Sequence, residues 1–263
     1  MEKNSIKGVY VKVRDFISDK LNMNSCKQFS KRKTEKIMGI CMLLIFGVSA
    51  LYLNDGEMNV QASKKVKEEK PRYIVAIDPG HGGYDPGKIG INDKLEKDIN
   101  LAIALKLKEL LEKENIKVVM TREDDTSLNT EEGGSKKSSD MRNRVNIINS
   151  ANPDICISIH QNSYTSKSVK GAQVFYYFKS QEGKKFAELL QNLIKTDVDT
   201  DNKRSAKENN NYYVLINVKC PAVIVECGFL SNWEEATALT DDLYQQKIAD
   251  TIKKAVIEYL SNM

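Results

Sequence analysis

A chain of 263 residues, 41% hydrophobic and 29% charged, can bury one large core, and this composition excludes fibrous and disordered classes. The 40 basic and 36 acidic side chains leave a formal charge of +4, but the excess is local. Residues 1–36 hold ten Lys/Arg against four acids, so the remainder of the chain is net acidic. That asymmetry speaks for membrane topology and against nucleic-acid binding.

In chain order, residues 1–36 read as a basic cytoplasmic segment, followed by an uncharged apolar run over 37–53. At 17 residues this run sits at the short end of a membrane span, and Lys31, Arg32, Lys33 and Lys36 on its N-terminal side place the rest of the chain outside. An uncleaved anchor is favoured over a signal peptide cut after Val60-Gln61-Ala62, because the basic region is long and that site is far from the apolar run. The expected location is therefore exported, anchored on the outer side of the cytoplasmic membrane. Residues 54–72 are a charged linker.

From Tyr73 onwards strand-like and helix-like stretches alternate. Strands are predicted over 73–78, 117–121, 154–159, 172–178 and 222–226, and helices over 97–114, 139–150, 183–196, 233–239 and 243–260. Residues 123–138 read as a long exposed loop. The expectation over 73–263 is one α/β globular domain, a twisted, mostly parallel mixed sheet flanked by helices. The five cysteines form no CxxC pair, which predicts buried free thiols.

The chain has only two histidines, His81 and His160, each just past the C-terminal end of a predicted strand. In open α/β sheets that edge is where sites form. A metal site with an open position needs about three protein ligands. The natural third is Glu96, ahead of the first strong helix, although alone it would read as an acid complementing the helix dipole. Glu226 ends the apolar run Ala222-Val-Ile-Val225 at the same edge and is the candidate base. The glycines of Asp78-Pro-Gly-His-Gly-Gly have the wrong spacing for a nucleotide loop and instead permit a tight turn around His81. Asp78 either orients an imidazole or forms a turn, and Asn162 and Arg142 are candidates for substrate contact or support behind the ligands.

Four segments together resemble the zinc-dependent N-acetylmuramoyl-L-alanine amidases of the amidase-3 family. They are Asp78-Pro-Gly-His81-Gly-Gly, Glu96 before its helix, Ser158-Ile-His160-Gln-Asn162, and Val225-Glu226-Cys-Gly-Phe-Leu-Ser-Asn232. The resemblance implies Zn²⁺ on His81, Glu96 and His160, with Glu226 catalytic. Met120-Thr-Arg-Glu-Asp-Asp-Thr, Met141-Arg-Asn-Arg-Val and Gly171-Ala-Gln-Val-Phe-Tyr-Tyr are similar to the germination-specific, CwlD-type group of spore formers. That similarity implies action on peptidoglycan of the spore cortex in the forespore space, on the way to muramic δ-lactam. It also implies a polysaccharide deacetylase in the same pathway and leaves room for an activating protein that completes the zinc site. A zinc peptidase acting on the stem peptide and a non-catalytic wall-binding protein are the competing readings.

Overall fold

The computed structural model describes residues 71–130 and 135–263. The basic segment, the apolar run and nearly all of the linker expected from the sequence lie outside the described residues. Among the described residues no helix is long and apolar enough to cross a membrane.

Six strands form one mixed sheet in the order β2-β1-β3-β6-β4-β5. They are β1 Ile74–Pro79, β2 Lys117–Met120, β3 Ile155–Asn162, β4 Gln173–Tyr177, β5 Lys207–Asn209 and β6 Ala222–Phe229. The first four in spatial order are mutually parallel, β4 runs antiparallel to β6, and β5 is parallel to β4. The helices are α1 Glu96–Lys113, α2 Lys136–Ala151, α3 Gln181–Leu193, α4 Tyr213–Asn217, α5 Trp233–Ala238 and α6 Asp242–Ser261. A π-helical turn, Ile194–Val198, continues α3.

Side chains on a strand alternate between faces, and this alternation sorts the core into two layers. Val75, Ile77, Ile155, Ile157, Ile159, Val223 and Val225 pack with α1, α3 and α6. Ala76, Cys156, Phe175, Ala222 and Ile224 face the other way, with α2 and α4. Extending the count assigns Asp78, His160 and Glu226 to this second face. The core needs no disulfide: Cys156, Cys220 and Cys227 are free thiols, two of them buried.

Several boundaries differ from the sequence expectation. The strand β3 runs on through His160 to Asn162, and β6 runs on through Glu226 to Phe229. In β3 the side chain of Gln161 finds an inward partner in Asn100, and in β6 the Phe229 N–H donates to Glu235. The helix α2 begins at Lys136, earlier than expected, because Ser135 caps it by accepting from Ser138 N–H. The segment before it is also less free than a long exposed loop. Asp140 accepts the Leu128 N–H, and Asn143 donates to Leu128 O. The strand β5 and the helix α4, three and five residues long, are too short to carry a period and were not expected.

Candidate metal centre and active site

His81 leaves the end of β1 on a loop that only a fixed backbone could hold. Its φ is 62°, a left-handed conformation that costs a non-glycine residue about 1–3 kcal/mol. Gly82 and Gly83 follow at φ 134° and 56°. The turn is clamped from behind by two buried guanidinium groups. Arg144 donates to Pro79 O and His81 O, and Arg122 donates to Pro79 O and Gly80 O. His81 Nδ1 lies 2.9 Å from Asp85 Oδ2, which fixes the ring and aims Nε2 inward.

Glu96 occupies the first turn of α1, which has no side-chain cap. Its carboxylate reaches the sheet edge instead. Oε2 accepts Lys88 N–H at 2.8 Å, and Oε1 accepts Gln161 N–H at 3.1 Å. The same Oε1 lies 3.2 Å from His81 Nε2 and 3.0 Å from His160 Nδ1. Burial opposes the charge of Glu96, but the two imidazoles override it and hold the carboxyl well below the usual range. On His160 burial again opposes charge, and Glu96 raises the imidazole above its ordinary value.

The three ligand atoms lie within 4.8 Å of one another. Two donors about 2.0–2.1 Å from one tetrahedral cation sit about 3.3 Å apart, close to the two nitrogen–oxygen distances seen here. Two imidazole nitrogens and one carboxylate oxygen suit a divalent transition metal and leave a fourth position open. The fit is thus good in spacing and in donor chemistry.

The position of Glu226 follows from strand register. His160 on β3 pairs with Glu226 on β6, so the two side chains leave neighbouring strands on one face. Glu226 is buried, and its Oε2 has no hydrogen-bond partner. Burial pushes its carboxyl up to about 7; the two imidazoles oppose the rise and Glu96 adds to it. All four groups line a cleft of about 420 Å³, with Tyr84, Met141 and Tyr212 on its walls.

The other residues singled out from the sequence have distinct places. Asn162 lines the cleft, and its Oδ1 accepts Ser163 N–H. Arg142 is exposed on α2, while the buried arginine of that helix is Arg144. Asp78 takes hydrogen bonds from Thr121, Ser158 and Arg144, each at 2.7 Å. Burial works against its charge, but Arg144 and the two hydroxyls bring the carboxyl down to about 2. The acid that orients His81 is Asp85, four residues along the same loop. Neither Asp85 nor Arg144 stood out in the sequence. Arg144 had a signal, since it falls on the inward stripe of Met141, Val145 and Ile148.

Gly80 completes the centre by having no side chain. A Cβ there would lie 2.1 Å from Cε1 and 2.3 Å from Nε2 of His160. The imidazole therefore lies flat against the backbone of the β1 loop. Asn100, one turn beyond Glu96, donates to Gly80 O and accepts from Gln161 Nε2. The two ligand-bearing strand ends and α1 are thereby locked together.

Several known amidases are similar to this chain. The germination-specific N-acetylmuramoyl-L-alanine amidase of Bacillus subtilis is 39% identical over 191 residues, covering 72% of this chain and 80% of its own. The CwlD amidase of Clostridioides difficile, solved in complex with the GerS lipoprotein, is 41% identical with a TM-score of 0.70. It covers 73% of this chain and all of its own. A second N-acetylmuramoyl-L-alanine amidase, from Clostridium difficile 630, is 33% identical with a TM-score of 0.64, covering 73% of this chain and 98% of its own. The match to the family description spans residues 75–258, His81, Glu96, His160 and Glu226 among them, and the chain belongs to the amidase-3 family of N-acetylmuramoyl-L-alanine amidases.

Proposed function

We propose that this amidase hydrolyses the bond between N-acetylmuramic acid and L-alanine in spore-cortex peptidoglycan, using zinc on His81, Glu96 and His160 and Glu226 as its base. The observation that carries the reading is the pairing of His160 with Glu226. A ligand cluster and an unpartnered buried carboxylate meet at the ends of two adjacent parallel strands. Bound zinc would supply Lewis-acid chemistry, acidifying water and stabilising negative charge on the amide carbonyl oxygen.

The side chains of the chain do the rest. Asp85 and Glu96 hold the His81 ring at one orientation, and Glu96 and Gly80 hold His160. Glu226 removes a proton from the attacking water as its oxygen joins the lactyl carbonyl carbon. It returns that proton to the alanine nitrogen as the carbon–nitrogen bond breaks. The products are a muramic acid with a free lactyl carboxyl and a peptide with a free N-terminal alanine. Burial raises the basicity of Glu226, and its Oε2 has no hydrogen-bond donor from the protein, which favours the first transfer.

The 39% identity to a germination-specific amidase supports a role in the cortex, as a step towards muramic δ-lactam. The basic segment and apolar run support placing the catalytic unit outside the cytoplasmic membrane. The complex of the C. difficile relative with a lipoprotein supports a protein partner for this chain as well, alongside a deacetylase in the same pathway. The test is digestion of cortex and vegetative peptidoglycan by the full chain with added zinc, followed by mass spectrometry. Intact stems with free N-terminal alanine are expected, and Glu226→Gln is expected to lose about 10²–10⁴-fold in rate while keeping its metal. Shortened stems would replace the amidase reading with a peptidase, and a fully active Glu226→Gln would remove that residue from the mechanism.

A further inference from the structure

Trp233 is the single tryptophan of the chain, and it is 60% exposed. It opens α5, next to a shallow pocket of about 350 Å³ that it lines with Ile91, Lys167, Lys170, Asn232 and Glu234. The walls of this pocket are tied in place. Asn232 caps α5 through Oδ1, and its Nδ2 donates to Lys167 O at 2.8 Å. Ile91 N–H donates to Leu230 O at 2.9 Å, and Tyr164 N–H donates to Ser231 Oγ at 2.9 Å. Lys170 and Glu234 face each other at 3.6 Å.

One wall is tied to the catalytic cleft by backbone hydrogen bonds: Leu230 N–H donates at 2.8 Å to the carbonyl of Asn162, which lines the cleft, and Leu230 O accepts from Ile91 of the pocket. Lys88 and Ser163 line the cleft, and the pocket residues Ile91 and Lys167 come within a few positions of each of them along the chain. Tyr164, between Ser163 and Lys167, is a second aromatic side chain at 60% exposure. The substrate is a polymer, so its glycan must leave the cleft over one rim. This rim offers an exposed indole beside an amide, two ammonium groups and a carboxylate. Such a surface takes a sugar: the ring's apolar C–H face stacks on the aromatic plane, and its hydroxyls meet the polar neighbours.

We propose that Trp233 and the pocket beside it form a glycan subsite, which seats sugars of the strand adjoining the one being cut. The proposal rests on the amidase reading. It makes Trp233 a residue that sets preference for polymer over isolated muropeptide, with no part in the bond-breaking step.

The single tryptophan allows a direct test. The full chain is titrated with peptide-free glycan strands, which have no bond to cut, and tryptophan emission is followed. A saturable shift in intensity or wavelength is expected, and constant emission up to saturating glycan would overturn the subsite. In parallel, Trp233→Ala and Trp233→Phe are assayed on polymeric peptidoglycan and on a single muramoyl-peptide. Trp233→Ala should raise KM on the polymer about tenfold at unchanged kcat, leave the single muramoyl-peptide unaffected, and be partly rescued by Phe. Equal changes on both substrates, or none on either, would reject the subsite. If the unaltered chain fails to cut even the single muramoyl-peptide, the amidase reading itself falls.

Discussion

Gly80→Ala adds one methyl group and, on the geometry of the β1 loop, removes a metal ligand. The new Cβ would stand 2.1 Å from Cε1, 2.3 Å from Nε2 and 2.6 Å from Nδ1 of His160. Carbon atoms in contact need about 3.5–4.0 Å, so the imidazole must retreat by about 1.5 Å. A histidine–zinc bond is only about 2.0–2.1 Å long, so that retreat takes the nitrogen out of coordination. The backbone itself is not the obstacle, since Gly80 is not among the positive-φ glycines. The fold should survive, with zinc affinity reduced at least about 100-fold, the upper end for loss of a supporting residue. The assay is competition with a chromophoric chelator, with amidase activity and a thermal melt on the same samples. Wild-type affinity together with wild-type activity in Gly80→Ala would refute the argument that an absent side chain shapes this centre.

Two further substitutions test the supports behind the ligands. Asp85→Asn keeps the shape of the His81 partner but loses its charge, and zinc affinity is expected to fall about 10–100-fold with little change in melting temperature. Unchanged affinity in the chelator competition would remove Asp85 from the centre. Asp78→Asn strips the buried Arg144 of a carboxylate and should cost about 3–5 kcal/mol in urea denaturation. The carboxyl of Asp78 is depressed to about 2 from 3.8, so its stabilisation is complete above about pH 4 and is lost as pH falls towards 2. That pH-linked part is about 2 kcal/mol, and acid titration of the wild type against Asp78→Asn should show the gap between the two stabilities narrowing by about that amount below the window.

Much of the centre could be read from strand ends. The alternation of Ile74–Asp78, Ile155–Ile159 and Ala222–Val225 determines which way Asp78, His160 and Glu226 point, and that pattern is local. Glu96 was legible only through chemistry, because nothing in its neighbourhood tells a ligand from an ordinary acid in a first helical turn. Asp85 escaped because its role depends on the left-handed backbone at His81, which turns the loop back on itself. Arg144 belongs to the inward stripe of α2, where an arginine looks misplaced until Asp78 and Asp140 are seen around it. The short β5 and α4 carry Tyr212 to the cleft wall through long-range packing, including its edge-to-face contact with Phe175, which no local period announces.

The guanidinium clamp on the β1 loop separates what shapes the loop from what would bind a metal. Pro79, Gly80 and His81 each offer a carbonyl to Arg122 or Arg144, and those contacts involve no metal ligand side chain. The loop's course is thus held by two buried guanidinium groups. Changes to the ligand side chains are therefore expected to leave the path of this loop intact, because the groups that hold it are separate from those that would hold a metal.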